Sequence, residues 1–395
     1  MQKNLTKMPD IVITAGTAIG SVLALSEAIT SKVGNKAYVL CTDEITSKIL
    51  SKSQFIEEVV FIDKTSEDNY ILDIKNWYKT KKFIEIPILY FTNDNSCYYI
   101  NKHRQWFDQK FKLCLPSSSI VNNFTQKGLA EPEALKNGLE IPKTLVIKDK
   151  NDIDEILKNF NFPIILKPEA TYLNKNIPFK IKVFSCHEDF LHTIANYIPE
   201  GNSILCQEFI PGGNNDSYYY IFYKGKNGVI KDNVGKKILQ STSNGGIMLK
   251  GRSEFDAKLV NICREFLERI NYEGIGGIEF KKYKDTFYFI EMSVRLEGFF
   301  KINEISNSNI SLISYFDLTE GCVPQEILES KQEDYFTYMS FFPTLISYIK
   351  SRNIKQIFLD FFKIIFCPKF KIDVFSAKSI MPFLMQIFYF LKRKL

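Results

Sequence analysis

The first 120 residues alternate between short apolar runs and a helical pattern of apolar positions. The apolar runs have strand length and lie at Ile11–Ala15, Ala37–Cys41, 59–62 and 86–91, and residues 19–29 have apolar positions at helical spacing. Short buried strands that alternate with helices are typical of βαβ units. The pattern therefore predicts an N-terminal α/β lobe built on a parallel sheet.

The first strand-to-helix turn has the sequence AGTAIGS, at residues 15–21. It does not contain GxGxxG, so the dinucleotide-binding fingerprint is absent, which argues against a nicotinamide-dependent dehydrogenase. A glycine-containing turn that opens a helix still offers backbone N–H groups to an anion. Tight packing of the strand against the helix explains the same glycines equally well.

The pattern changes after residue 121. A helix, a turn and a strand are predicted over NNFTQKGLAEPEALKNGLEIPKTLVI, and a helix at 152–160 precedes a strand at 162–167. A short strand at 183–184 and a helix at 188–197 follow. From residue 203 to 295 the runs SILCQEFI, SYYYIFYK and GIMLKG predict a mixed, mainly antiparallel sheet. One amphipathic helix at about 255–270 interrupts these strands.

A β-hairpin is predicted at residues 276–300, GGIEFKKYKDTFYFIEMSVRLEGFF. With the turn centred near Asp285, Glu279 and Glu291 are equally distant from it and lie opposite each other. Side chains alternate between the two faces of a strand, so Ser293 and Arg295 share the face of Glu291. The opposite face is predicted to point into the core and comprises Ile278, Phe280, Tyr288, Ile290 and Met292.

Two carboxylates directly opposite each other repel and normally destabilise a sheet. A divalent cation between Glu279 and Glu291 would turn that repulsion into coordination. Mg²⁺ favours one or two carboxylates together with phosphate oxygens of a substrate. The hairpin therefore resembles half of a nucleotide–metal site, and a hairpin with one solvated acidic face is the equally weighted alternative.

Residues 325–395 are rich in Phe, Ile, Tyr and Lys and have few acids. The last segment, SIMPFLMQIFYFLKRKL, ends in Lys392, Arg393 and Lys394, and no acidic residue follows Asp373. A helix of this composition suits an anionic membrane surface. It also suits a helix that packs on the domain and ends in a basic turn, and this second interpretation is favoured.

Composition limits the classes of function. A chain of 395 residues has room for two or three domains, and a formal charge of +6 is too small to indicate a nucleic-acid partner. The eight cysteines form no CxxC motif and there are three histidines, which argues against a zinc site. Unclustered cysteines, a polar N-terminus without a signal-peptide pattern and the lack of an apolar stretch of ~20 residues predict a cytoplasmic protein, with peripheral membrane contact as an option.

The order of the motifs from residue 10 to 323 resembles the ATP-grasp superfamily of carboxylate–amine ligases, as in carbamoyl-phosphate-synthase-like proteins. Lys127, in FTQKGLAEPEALK, resembles the first ATP lysine of this family. Lys167, in PIILKPEA, resembles the second, which lies on a strand and reaches the phosphates. The segment CQEFIPGG, at 206–213, resembles the hinge that binds adenine between two lobes.

The resemblance implies an adenine slot formed by the hinge. Phe209 and Ile210 would supply its apolar walls, while Gln207, Glu208 and the adjoining backbone would bind the polar edge of adenine. Asp216 would hold the ribose hydroxyls. A Gly-Gly-Asn-Asn-Asp segment is also simply a turn, so a structural role of Asp216 is the alternative.

The resemblance also implies the metal and phosphate ligands. Glu279 and Glu291 match the paired metal ligands of the family, and Arg295 stands where an arginine meets the transferred phosphate or the substrate carboxylate. Ser293 replaces the family's asparagine and is a weaker metal ligand. Lys237 would bind an anionic group, although a solvated lysine is the favoured alternative.

The implied architecture combines α/β and α+β parts. It comprises a Rossmann-like N-terminal lobe at 1–121, an ATP-grasp domain at 122–324 and an aromatic-rich helical extension at 325–395. The ATP-grasp domain divides into a small lobe at 122–205 and an antiparallel large lobe at 206–324. A lid is expected at 170–182, and it lacks the glycines that many family members place over the phosphates; Lys175 and Lys180 are its candidate phosphate ligands.

The implied activity is that of a ligase dependent on ATP and on Mg²⁺ or Mn²⁺. Such an enzyme converts a carboxylate to an acyl phosphate and joins it to an amine, with an amino acid, a peptide or an amino sugar as substrate. A carboxylase of the same superfamily is disfavoured because no carrier-lysine domain is present. The alternative is a non-catalytic nucleotide-binding or scaffold protein with this fold, which Ser293 and the glycine-poor lid favour.

Overall fold

The computed structural model describes residues 8–168, 179, 181–195, 204–242, 245–320 and 323–392. Strands in this part of the chain form sheets of five, four and seven strands. Most of the predicted lid at 170–182, with Lys175 and Lys180, lies outside the described residues, as do Arg393 and Lys394.

The N-terminal lobe is a parallel sheet, as the alternation of apolar runs predicts. Its strand order is β3-β2-β1-β4-β5, and the order reverses between β1 and β4. Ligands of open α/β sheets bind outside the carboxyl ends of the strands at such a reversal. The elements are β1 (Ile11–Ala15), α1 (Ile19–Val33), β2 (Ala37–Cys41), α2 (Glu44–Leu50), β3 (Ile56–Phe61), α3 (Glu67–Lys79), β4 (Ile88–Phe91), α4 (Asp94–Lys102), α5 (Arg104–Asp108) and β5 (Lys112–Leu113).

The second sheet is small and antiparallel, with strand order β6-β9-β7-β8. Its core contains Ile156, Phe184 and Phe190, which are buried between the sheet and two helices. The elements are α6 (Ser118–Thr125), α7 (Lys127–Lys136), β6 (Thr144–Ile147), α8 (Lys150–Asn159), β7 (Ile164–Pro168), β8 (Lys182–Phe184), α9 (His187–Ile194) and β9 (Ile204–Glu208).

The third sheet is the largest and has the order β14-β13-β10-β11-β12-β15-β16. Its first five strands are antiparallel, and α10 packs Leu259, Phe266 and Leu267 into the core beside them. The elements are β10 (Ser217–Lys224), β11 (Ile230–Thr242), β12 (Gly245–Ser253), α10 (Ala257–Arg269), β13 (Gly274–Tyr283), β14 (Thr286–Ser293), α11 (Lys301–Ile305), α12 (Ile310–Glu320) and α13 (Gln325–Leu328).

The C-terminal extension contains strands as well as the predicted helices. Strand β15 pairs antiparallel with β12 and parallel with β16, so the extension completes the large sheet. The sequence did not indicate these strands because each has three residues and most of its partners are distant along the chain. The elements are β15 (Thr337–Met339), α14 (Phe341–Lys350), α15 (Ile354–Phe366), β16 (Phe370–Ile372) and α16 (Met381–Lys392).

The predicted hairpin is formed by β13 and β14. Glu279 lies opposite Glu291, as predicted, and Tyr283 lies opposite Thr286 across the two-residue turn. The first pair is centred on residue 285 and the second lies half a residue earlier, between 284 and 285, so a single regular register cannot contain both. A β-bulge next to Glu279 absorbs the difference and leaves Ile290 as the extra residue on β14.

The bulge overturns part of the predicted core face. Ile278, Phe280 and Met292 are buried as predicted, but Tyr288 and Ile290 are only half-buried. Phe287 and Phe289 point into the core instead. One extra residue exchanges the two faces of a strand, so the alternation inferred from the turn fails between the turn and the bulge.

A buried ion pair attaches the extension to the large sheet. The Lys250 Nζ on β12 lies 2.9 Å from Asp360 Oδ2 on α15, and both side chains are buried. The Tyr348 hydroxyl and the Gln356 amide donate to the same carboxylate, each at 2.9 Å. Burial lowers the pKa of Lys250, and the Asp360 carboxylate opposes that shift.

Replacing Asp360 with Ala leaves the Lys250 ammonium buried without a counter-charge. Removal of one partner of a buried pair costs about 3–5 kcal/mol, so we expect a loss of this order in the free energy of unfolding, measured by urea denaturation. Glu155→Ala, on an exposed carboxylate of α8, is the control and should change stability little. Equal stabilities of the two variants would contradict an anchoring role for this pair.

Candidate functional site

Glu279 and Glu291 face each other on neighbouring strands of the hairpin. Glu279 accepts a short hydrogen bond from the ammonium of Lys237, which reaches it from β11 across the intervening strand β10. The sequence favoured a solvated Lys237, and that interpretation is wrong because the side chain is only 3% exposed. Lys237 reaches the carboxylate because the strands lie in the order β13-β10-β11, which differs from their order along the chain and could not be inferred from the sequence.

Burial and three charged neighbours shift the pKa of Glu279. Burial raises the pKa of Glu279; the Lys237 ammonium lowers it in part, and the carboxylates of Glu291 and Glu297 raise it further. A second cation close to Glu279 would favour its charged form. The pKa of Glu279 is therefore sensitive to a cation at this position.

Glu297 is a third carboxylate that the sequence analysis missed. It is buried, burial raises its pKa, and the Arg295 guanidinium opposes that shift. Its side chain lies over Gly277, where a Cβ would come within 2.6 Å of Glu297 Cγ. A signal was present, because Glu291, Ser293, Arg295 and Glu297 follow at two-residue spacing, but Glu297 lies beyond the end of β14.

Arg295 joins the hairpin to the N-terminal lobe. Its Nε donates to Asp94 Oδ1 at 2.8 Å and its Nη2 donates to Asp94 Oδ2 at 3.2 Å, a bidentate pair. Asp94 begins α4, immediately after β4. Burial alone would lower the pKa of Arg295, but the carboxylates of Asp94 and Glu297 more than offset it and raise that pKa.

A cavity of about 480 Å³ opens beside these residues. Its size is within the range of small-molecule sites, and it lies near the carboxyl end of β4, where the strand order reverses. Its polar and apolar walls come from α4, α6, α7 and β14. The lining residues are Asp94, Asn95, Tyr98, Tyr99, Phe124, Thr125, Ala130, Glu131, Ile290, Glu291, Met292, Ser293 and Arg295.

Lys167 belongs to a second buried cluster. Its Nζ donates to Glu131 Oε1 at 2.7 Å and to Gln207 Oε1 at 3.1 Å. The Gln207 amide donates in turn to Glu131 Oε1 and to the Thr144 hydroxyl, each at 3.0 Å. Within the described residues the other oxygen of Glu131 has no hydrogen-bond partner, and Glu131 also lines the cavity. Glu131 therefore links the Lys167 cluster to the cavity.

In the predicted hinge, Glu208 bonds to the chain next to strand β6 of the small sheet. The backbone N–H of Glu208 donates to the Lys143 carbonyl at 2.8 Å, and the Glu208 side chain is exposed. Phe209 is half-buried, Ile210 is buried, and neither lines the cavity. Phe209 and Ile210, the apolar walls that the resemblance implies for adenine, are thus not part of the cavity beside Arg295.

Two further predicted residues occupy defined places in the chain. The Asp216 carboxylate accepts from the Gly213 backbone N–H at 2.7 Å and closes the 3₁₀ turn Asn214–Asp216, which is the structural role that the turn composition allowed. Lys127 is the first residue of α7, four residues before Glu131. The structure brings Lys237, Glu279, Glu291, Ser293 and Arg295 together and holds Lys167 with Gln207 in the adjoining cluster.

The donor set suits magnesium better than a metal held by protein ligands alone. The part of the chain that the structure describes contains no group of three or more His, Cys, Asp or Glu arranged to hold a metal ion. Mg²⁺ takes one or two carboxylates and completes its shell with water and phosphate oxygens. Glu279 and Glu291 fit that requirement, and the Ser293 hydroxyl on the same face adds a weak oxygen donor.

The architecture matches that of solved enzymes over about four fifths of the chain. The ADP complex of an N5-carboxyaminoimidazole ribonucleotide synthetase matches with a TM-score of 0.63 at 13% identity, over 84% of this chain and 82% of that chain. The same enzyme from Thermus thermophilus gives 0.61 at 15% identity, over 80% and 79%. A biotin carboxylase–β,γ-ATP complex from Campylobacter jejuni gives 0.64 at 17% identity, over 82% and 74%. This chain has the ATP-grasp fold.

The ATP-grasp fold confirms the architecture predicted from the order of motifs, with its parallel N-terminal sheet, small antiparallel sheet and large sheet. No protein-family model matches the sequence, and a search of curated proteins found no significant match. Identities of 13–17% to the solved structures show the fold and leave the substrates of this ATP-grasp chain open.

Replacing Lys167 with Met leaves the Glu131 carboxylate buried without its counter-charge. We expect the free energy of unfolding to fall by about 3–5 kcal/mol, as for other broken buried ion pairs. The double variant Lys167→Met/Glu131→Gln removes both charges and should recover most of this loss. Urea denaturation provides the measurement, and Lys148→Met, on an exposed lysine, is the control. A double variant as unstable as Lys167→Met would show that packing rather than charge dominates.

Proposed function

We propose that this chain is an ATP- and Mg²⁺-dependent ligase that activates a carboxylate as an acyl phosphate and joins it to an amine. The observation that carries the proposal is the opposed pair Glu279 and Glu291 beside Lys237 and Arg295, at the rim of a cavity of about 480 Å³. Phosphoryl transfer needs mainly positioning and charge neutralisation, and these residues supply both kinds of charge.

The proposed reaction has two steps. A carboxylate oxygen of the substrate attacks the γ-phosphorus of ATP, the bond from that phosphorus to the β-phosphate oxygen breaks, and ADP leaves. The amine nitrogen then attacks the acyl carbon, phosphate leaves with the bonding electron pair, and the nitrogen loses a proton. In this scheme Glu279 and Glu291 would hold Mg²⁺ or Mn²⁺, with Ser293 as a weaker ligand, and the bound metal would supply neutralisation of phosphate charge.

Arg295 and Lys237 would act on the reacting anions. Arg295 is half-buried at the cavity wall and held by Asp94, so its guanidinium is already oriented before substrate binds. A preorganised cation stabilises charge that develops in the transition state without further reorganisation. Lys237 would exchange its bond with Glu279 for a bond with a phosphate, which would leave that carboxylate available to a metal.

The nucleotide would bind between the small sheet and the large sheet. In the proposal Lys127 and Lys167 contact its phosphates, the hinge residues Gln207, Glu208, Phe209 and Ile210 hold adenine, and Asp216 is the candidate ribose ligand. Lys167 must then leave Glu131, which exposes a carboxylate to the cavity. ATP binding at Lys167 would thus be coupled to the charge of the substrate cavity.

The cavity suggests the class of substrate. Arg295 suits a carboxylate, while Glu131 on the same walls suits a cationic amino group once Lys167 has left it, and Tyr98 adds an aromatic surface. An amino acid, a small peptide or an amino sugar combines these features.

We assign the reaction to the cytoplasm, where ATP is available, and the chain to the three domains 1–121, 122–324 and 325–395.

A second candidate function is nucleotide binding without catalysis. Two observations favour it. Ser293 replaces the metal-binding amide of the family, and two of the candidate phosphate ligands are engaged with carboxylates, Lys167 with Glu131 and Lys237 with Glu279. These ion pairs oppose phosphate binding because they must break before either lysine can move. A binding protein would retain Mg·ATP affinity and release no ADP.

Calorimetry of Mg·ATP binding tests the proposed site. The wild type should bind Mg·ATP, and Glu279→Gln/Glu291→Gln should lose at least about tenfold in Mg²⁺-dependent affinity, or about 1.4 kcal/mol, because the cation loses both charged ligands. Glu57→Gln/Glu85→Gln, on exposed carboxylates of the N-terminal lobe, is the matched control. A wild type that does not bind Mg·ATP at millimolar concentration would refute the ligase proposal.

Screening pairs of acids and amines for ADP release then separates the two candidate functions. The ligase requires ADP release that depends on both an acid and an amine, with amino acids, peptides and amino sugars tested first. Mg·ATP binding with no ADP release for any pair, and with unchanged affinity in the control variant, would favour the non-catalytic alternative.

Arg295→Lys tests the role of the arginine in the chemical step. Lysine keeps the charge but loses the bidentate geometry, so we expect Mg·ATP affinity to stay within about threefold and ADP release to fall at least about 100-fold. Arg264→Lys, on the exposed face of α10, is the matched control. Equal loss of affinity and of turnover in Arg295→Lys would assign Arg295 to nucleotide binding instead.

A further inference from the structure

Helix α15 exposes an apolar face. Residues at positions i, i+4, i+7, i+8, i+11 and i+12 of the helix have side chains that are each more than half exposed. This spacing places them along one side of an α-helix. They are Ile354, Phe358, Phe361, Phe362, Ile365 and Phe366.

The helix differs from an ordinary surface helix because it exposes most of its aromatic side chains and buries an acidic one, while Ile364 packs against the core. Its buried side carries Asp360, which bonds to Lys250, Tyr348 and Gln356, while its phenylalanines face outward. A surface helix of a globular protein normally buries its apolar stripe and exposes its charges. Because a buried ion pair fixes the rotation of α15 about its axis, the apolar face is held outward rather than left there by loose packing.

The accessible charge of the segment 341–392, which carries this face, is positive. Between residues 341 and 392 the acidic residues are Asp360 and Asp373, and both are buried and hydrogen-bonded. The cations of the same segment are exposed. They are Lys350, Arg352, Lys355, Lys363, Lys369, Lys371, Lys378 and Lys392.

We propose that α15 docks on an anionic lipid membrane, with its phenylalanines in the interface and the surrounding lysines over the headgroups. An amphipathic helix with a basic rim and exposed aromatic residues binds the plane of such a surface. At about 1.5 Å per residue its 13 residues extend ~20 Å, less than the ~30 Å of a hydrocarbon core. Within the described part of the chain, no helix is both long and apolar enough to span a membrane.

Charge distinguishes a membrane from a second copy of the chain. A two-fold dimer through this face would place the lysine rims of both copies against each other, since the segment offers no accessible carboxylate to pair with them. An anionic bilayer provides the complementary charge at every point of the rim. The exposed aromatic area and the uncompensated lysines therefore fit one occupant, a lipid surface.

The C-terminal helix α16 has a different position. The sequence left open whether it packs on the domain or lies on a membrane, and the structure packs it against α2 and α14. Phe383 contacts Phe341, and Phe390 contacts Phe342. The packing interpretation therefore holds for these side chains, and α15, which the sequence analysis did not single out, carries the proposed membrane face.

Flotation with vesicles tests the proposal on the full chain. The wild type should float with vesicles of phosphatidylcholine and phosphatidylglycerol, less so at high salt, and should stay behind with phosphatidylcholine alone. Phe358→Ser/Phe362→Ser/Phe366→Ser should lower the partition coefficient at least about tenfold because it removes the inserted apolar area. Lys355→Glu/Lys363→Glu should remove the dependence on anionic lipid.

The matched control is Leu72→Ser/Ile84→Ser/Ile86→Ser, which removes three exposed apolar side chains from the N-terminal lobe. It should float like the wild type, and thermal unfolding should show all variants folded, since every replaced side chain is exposed. Failure of the wild type to float, or equal losses in the control, would overturn the proposal. So would a wild-type dimer in sedimentation velocity that the phenylalanine variant abolishes, since the face would then join two copies.

Phe388→Ser/Leu391→Ser, on the exposed side of α16, separates the two C-terminal helices. It should reduce flotation less than the α15 variant. A complete loss in this variant together with full binding by the α15 variant would assign the membrane contact to α16 and overturn the role of α15. These measurements use no nucleotide, so they are independent of the proposed ligase reaction.

Discussion

The repulsion between Glu279 and Glu291 is the constraint on which the rest of the site depends. Like charges directly opposite in a hairpin destabilise it, so the surrounding structure must supply cations. Lys237 crosses a neighbouring strand to reach Glu279, and Arg295 lies two residues beyond the end of β14 and bonds to Asp94. Compensation of one local repulsion thus ties the hairpin both to the interior of the large sheet and to the N-terminal lobe.

Local sequence patterns predicted the elements and the opposed carboxylates because turns and alternation act over a few residues. The same reasoning failed for Tyr288 and Ile290, since a bulge is one inserted residue and leaves no clear mark in composition. The position of the bulge has a physical explanation. The bulge lies beside the carboxylate pair, where the extra residue changes the direction of the strand. On the turn side of the bulge, the two-residue turn sets the register. On the other side, the register places Glu279 opposite Glu291.

The residues that the sequence did not reveal are those that act across lobes. Asp94 and Glu131 lie in helices of ordinary composition, and only the docking of the hairpin and of β7 brings them to Arg295 and Lys167. Lys237 was expected to be solvated because its partner lies two strands away in a sheet whose order does not follow the chain. The order of the motifs along the chain was enough to identify Lys167 and Arg295 as candidate site residues. Their counter-ions, Glu131 and Asp94, could be identified only from the tertiary structure.

Those counter-ions bear on how the proposed reaction would begin. A buried lysine without a partner is costly, so a site that must receive phosphates needs a temporary anion for each lysine. Glu131 serves Lys167 and Glu279 serves Lys237. In the proposed scheme Glu279 would hold the metal and both lysines would bind phosphates, so most charges would exchange partners. The carboxylate left over is Glu131, at the wall of the cavity, and a cationic amine is the partner that would restore its balance.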